Sequence, residues 1–110
     1  MLKPMSVETA RLSAQASAMR MLEGLYVGDP AEILERRFAE TNHCWMFFNN
    51  RSIIIPPERA LSAFAYVIAK RGGGRLVPDY WDDEVRMQEY LETISEYLAT
   101  HDAETGQQHV

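Results

Sequence analysis

The chain has 110 residues, 46% hydrophobic and 25% charged, with a net charge of −5. That length suits one domain with one core, and that balance excludes global disorder. No apolar run approaches the roughly 18 residues that span a bilayer, and Glu8 and Arg11 interrupt the N-terminus where a secretory leader would need an apolar centre, so a cytoplasmic location and no membrane partner are expected.

Ser6 is a fitting N-cap, and Glu8 lies in the first turn, where the helix dipole favours a negative charge. Val7, Ala10, Ala14, Ala18, Met21, Leu22 and Leu25 recur at spacings of three and four, which predicts an amphipathic helix over roughly 7–25. Its alanines suit close packing on a flat partner such as a sheet. Gly28-Asp29-Pro30 marks the expected break.

Residues 31–41 support two readings. Asp29 as N-cap, Pro30 at the first helical position and Glu32 would start a short helix, with Ile33, Leu34, Arg37 and Phe38 on its face. As a strand, Leu34, Arg36, Phe38 and Glu40 would share a side. Local signals lean helical.

His43–Asn50 (HCWMFFNN) reads as a strand closed by amide turn chemistry. Trp45 and Phe47 would point to one face, and Cys44, Met46 and Phe48 to the other. Apolar residues on both faces predict a central strand covered on both sides. Cys44 is the only cysteine, so no internal disulfide can form, and its spacing from His43, His101 and His109 fits no zinc pattern. No metal and no cofactor is expected. A Cys44 hydrolase is a further reading, but adjacent strand residues point apart and cannot form a nucleophile–base pair directly. No catalytic residue is therefore assigned.

Ser52-Ile-Ile-Ile55 reads as a second β-branched strand, ended by Pro56-Pro57. The segment 57–72 could be a helix ending at Gly72. The alternative is strand, glycine turn, strand over Tyr66–Lys70, Arg71-Gly-Gly-Gly74 and Arg75–Val77, with one helical turn near 58–62. Three glycines suit a hairpin loop, and the hairpin is preferred. Arg71-Gly-Gly-Gly-Arg75 lacks the glycine spacing and the Lys-Ser/Thr pair of a phosphate loop. Its two arginines, Arg71 and Arg75, are candidates for a partner contact at an exposed turn.

The last helix opens at Asp82 or Asp83 and carries Met87, Leu91, Ile94 and Leu98 at spacings of four, three and four. Residues after Thr100 read as a flexible tail, leaving an ordered core of about 6–100. The second half of the chain holds the whole net charge, and from Asp79 to Glu104 nine acids face one base, Arg86. An acidic face repels nucleic acid and attracts basic partners. Within it, Asp79, Tyr80, Trp81, Asp82, Asp83 and Glu84 combine charge with two aromatic rings of the kind enriched at interfaces. Trp81 reads equally well as core, and the acids equally well as helix caps.

The segment Glu40-Thr-Asn-His-Cys-Trp-Met-Phe-Phe-Asn-Asn-Arg51 resembles the signature strand of small immunity proteins from bacterial polymorphic-toxin systems, the group with a Gly-Trp-Val-Phe-Phe-Tyr-Asn-type motif. Trp45, Phe47 and Phe48 match, and Cys44 replaces the glycine. Tyr66-Val-Ile-Ala-Lys70, the glycine turn and Arg75-Leu-Val-Pro78 are similar to the family's second hairpin. Gln88–Ile94 is similar to its terminal helix. The resemblance covers roughly residues 31–99, with Ile53-Ile-Ile-Pro-Pro57 in place of the family's long loop. It implies a strand over 31–41 and no catalytic residues. It also implies a non-enzymatic protein that neutralises a cognate toxin protein.

The expectation is an α+β domain, with an antiparallel sheet of four to five strands and an N-terminal and a C-terminal helix packed on it. Its acidity suits a basic toxin, and a monomer or weak homodimer is expected. The alternative function is a small chaperone-like or adaptor module without a toxin partner.

Overall fold

Ser6 opens the first helix as its sequence asks: its Oγ accepts the Thr9 N–H at 3.2 Å. This computed structural model describes residues 5–62 and 64–108, with side chains at 5–59 and 64–100. Helix α1 spans Val7–Met21 and buries Ala10, Ala14 and Ala18 completely against the sheet. Small side chains let its backbone approach the strands closely, as the alanine content predicts. The helix stops about a turn short of its expected end near Leu25. Gly24 takes φ +84°, and the Leu25 and Tyr26 N–H groups both donate to the Leu22 carbonyl. Arg59 reaches back to the carbonyls of Met21 (3.3 Å) and Glu23 (3.1 Å), satisfying the helix end from a distant loop.

Asp29 does act as a cap, its Oδ1 accepting the Ala31 N–H at 2.9 Å, but it starts only one 3-10 turn, Pro30–Glu32. The chain then enters strand β1, Leu34–Glu40. The helical leaning over 31–41 is thus corrected: the cap is local, but pairing with the next strand decides the rest.

Strand β2, Cys44–Asn49, is buried at every position. It lies between β1 and β3 (Phe64–Ala69), and β3 pairs onward with β4 (Gly74–Pro78) in one antiparallel sheet of order β1-β2-β3-β4. Helix α2, Glu84–Gln108, follows. The expected parity of β2 holds. Trp45 and Phe47 join Ala10, Ala14, Ala18 and Leu22 under α1. Cys44, Met46 and Phe48 join Met87, Leu91, Ile94 and Leu98 under α2. The two helices therefore cover opposite faces of a four-stranded sheet, an α+β arrangement.

Ser52–Ile55 forms no strand, contrary to expectation. Asn50, two residues earlier, folds the chain into a turn, its Oδ1 accepting the Ser52 N–H at 2.9 Å and the Ser52 hydroxyl at 2.7 Å. β2 is already paired on both sides, so the isoleucines cannot pair with the strand that precedes them. Ile53 and Ile55 instead pack on the α1-side core, while Ile54 is exposed.

The hairpin reading of 64–78 is the one observed. Gly72 (φ +108°) and Gly73 (φ +87°) supply the left-handed turn. At Gly74 a Cβ would lie 3.0 Å from Ile68 Cδ1, so the third glycine permits a close approach across the hairpin. Asp83 caps α2, accepting the Arg86 N–H at 3.0 Å. The expected tail falls on residues whose side chains, and at 109–110 whose backbone, lie outside the described set. No described helix is long and apolar enough to cross a membrane.

Candidate functional site: the acidic corner and outer face of α2

Val77 is the last buried residue of β4, and the chain then turns a corner into α2. Asp79 makes that corner. Its Oδ1 accepts the Trp81 N–H at 2.9 Å, and its Oδ2 pairs with Arg51 Nη2 at 2.7 Å. The Asp79 side chain keeps only 11% of its exposure, so this carboxylate is engaged inward.

Trp81 sits edge-on to Phe48, centroids 5.1 Å apart, and half closes the α2-side core. The guanidinium carbons of Arg37 and Arg51 stand 4.9 and 5.1 Å from its ring centroid. Tyr80 meets Tyr90 edge-on at 5.7 Å and carries Arg86 over its ring at 5.6 Å. The rings of the corner are therefore largely committed to the protein itself.

Among the described side chains, the carboxylates that remain outside are Asp82, Asp83 and Glu84, all exposed, followed along α2 by exposed Glu89, Glu92 and Glu96. Val85, 71% exposed, lies with Glu84, Gln88, Glu89 and Glu92 around a shallow concavity on the outer face. The acidic run was legible in the sequence as far as Glu104, but the residues singled out by name for a contact ended at Glu84, and Val85 was not among them. The signal was there: Val85, Glu89 and Glu92 follow at spacings of four and three, opposite the buried Met87, Leu91, Ile94 and Leu98 stripe.

Arg71 and Arg75 are not part of this corner. They lie at the turn end of the β3–β4 hairpin, whereas the corner follows the other end of β4. Arg71 is exposed in the hairpin turn, and Arg75 places its guanidinium 4.8 Å from the Tyr97 ring centroid.

Cys44 is fully buried, and its Sγ lies 3.3 Å from Thr41 Oγ1. Burial pushes its thiol pKa up, against smaller opposing effects of the Thr41 hydrogen bond and of Lys70 and Arg75. Such a thiol is a poor nucleophile. Among the described residues no group of three or more His, Cys, Asp or Glu side chains could hold a metal ion.

Comparison with known protein families, with curated proteins and with solved structures finds no match.

Proposed function

We propose that this chain is a non-enzymatic binding protein that neutralises a co-produced basic toxin domain in the cytoplasm of the cell that makes both. The observation that carries the reading is the outer face of α2. Among the described side chains, six exposed carboxylates, Asp82 and Asp83 just before the helix and Glu84, Glu89, Glu92 and Glu96 on it, stand there with one base. That base, Arg86, already lies 3.9 Å from Asp83 and over Tyr80. Such a face raises the encounter rate of a cationic partner and disfavours nucleic acid. Exposed Val85 gives the same face an apolar point of contact. An inhibitor that occupies its target needs no chemistry of its own, and the buried Cys44 thiol supports a role without catalysis. The resemblance of Glu40–Arg51 to the immunity-protein strand supplies the toxin as the class of partner.

The test is protection. The toxic domain encoded by the adjacent gene is expressed with and without this chain, and growth is measured. The expected result is growth only with the chain, through a complex that co-purifies. Killing that the chain does not relieve, or a neighbour whose product does not bind it, contradicts the reading.

A further inference from the structure

The two edges of the sheet are treated differently. β1 is blunted: its register with β2 shifts between Leu34 and Phe38, and Arg11 takes the carbonyls of Glu35 at 3.0 Å and Arg36 at 2.9 Å. β4 has no such cover among the described residues. Its inner side is set by the Ala69 N–H, which donates to the Gly73 carbonyl at 2.9 Å. Paired residues alternate along an antiparallel ladder, so Arg75 and Val77 turn their amides toward Val67 and Ala65. Gly74 and Leu76 therefore turn theirs outward, and Pro78 ends the row with a carbonyl alone. Natural sheets usually protect such an edge, and a free one is a template for another strand.

The surroundings of the edge indicate what kind of strand. α1 packs over β2 and β3 and leaves an open groove beside β4, bordered by Ser17, Arg20, Met21, Ile68 and Leu76. Leu76 is 43% exposed at its rim. The Arg20 side chain borders this groove, and among the described residues no carboxylate lines it, in a chain whose net charge is −5. On the other face Arg75 lies against Tyr97, itself 43% exposed. A strand laid along β4 would send alternate side chains to the two faces, toward Leu76 and Arg20 on one and toward Arg75 and Tyr97 on the other.

We propose that the free edge of β4 takes up, as a fifth strand, an extended segment of a partner protein in which aliphatic and acidic residues alternate. Backbone hydrogen bonds to Gly74 and Leu76 hold it, and the flanking arginines select its charge. This surface is separate from the acidic face of α2 and stands or falls independently of the toxin reading.

The probe is a peptide of about ten residues alternating valine and glutamate, with a valine–lysine peptide and a scrambled acidic peptide as controls. Binding is followed by amide chemical shifts and by titration. The expected result is shifts centred on Gly74 and Leu76, with both controls at least about tenfold weaker. Leu76→Pro removes an outward donor without touching the bonds to β3, a substitution that edge strands tolerate, and should weaken binding at least about tenfold. Arg20→Glu with Arg75→Glu gives an independent variant with the same expected loss should the proline protein not fold. Equal affinity for the lysine peptide, unchanged binding in either folded variant, or shifts centred on α2 would overturn the proposal. So would self-association through β4 with no peptide uptake, which would make a second copy the occupant.

Discussion

Trp45 and Trp81 stand in different relations to the core. Trp45 belongs to β2, where all six residues are buried and both faces are covered by helices. The strand's buried amide is also satisfied: Asn49 accepts the Tyr66 hydroxyl at 2.7 Å and donates to the Phe64 carbonyl at 3.3 Å. Trp81 lies on a corner, with one edge on Phe48 and two arginines around its ring. An aromatic run that is sealed from both sides specifies the core. An aromatic pair set among acids is fixed by turn chemistry and by arginines, and what it leaves facing the solvent is charge. The partner surface proposed above is accordingly the carboxylates of α2 rather than the rings beside them.

The contrast is sharpest in stability. Phe47→Ala removes a fully buried ring from the central strand and should cost about 3–5 kcal/mol in chemical denaturation. A loss under about 1 kcal/mol would take β2 out of the core.

The buried hydroxyl next to it gives a pH signature. Burial pushes Tyr66 up to about 12, with its hydrogen bond to Asn49 opposing. In the unfolded chain the same group titrates near ~10. Between those values the folded protein holds the proton and the unfolded chain releases it. Stability is therefore intact below about pH 10 and declines toward pH 12, by up to about 2–3 kcal/mol from this group. Denaturation across that range, with Tyr66→Phe as reference, should show the extra decline only in the parent protein. Parallel curves would mean that Tyr66 ionises freely.

Trp81→Ala should cost about 1–2 kcal/mol, because the ring is only half-buried and its cation contacts lie near solvent. A loss above about 3 kcal/mol would place Trp81 with Trp45 and erase the distinction. Glu89→Gln with Glu92→Gln should change stability by less than about 0.5 kcal/mol, as expected of exposed carboxylates outside the core. A larger change would show that they serve the fold.

The parity of β2, the α2 stripe and the glycine hairpin were legible because each is written in neighbouring residues. The strand at Leu34–Glu40 was not, since Asp29-Pro30 announces a helix that β2 overrides after one turn. Ser52–Ile55 misled for the converse reason: β-branched residues favour a strand, but β1 and β3 already occupy both sides of β2. At the candidate site, the acids were legible as a charge run. The inward turn of Asp79 and Trp81 was not, because it depends on Arg51 and Arg37, which come from distant strands and loops. Nothing local to Arg75 reveals that its guanidinium lies over Tyr97, at the turn end of the hairpin and away from the corner.

The most direct measurement of the central claim is the association rate of the toxic domain with this chain at low and high salt, for the parent protein and for Glu84→Gln with Glu89→Gln and Glu92→Gln. The account predicts association that slows steeply with salt in the parent, and a variant that folds normally, associates about tenfold more slowly at low salt and shows a flatter salt dependence. Identical rates and salt slopes in the two proteins would contradict it.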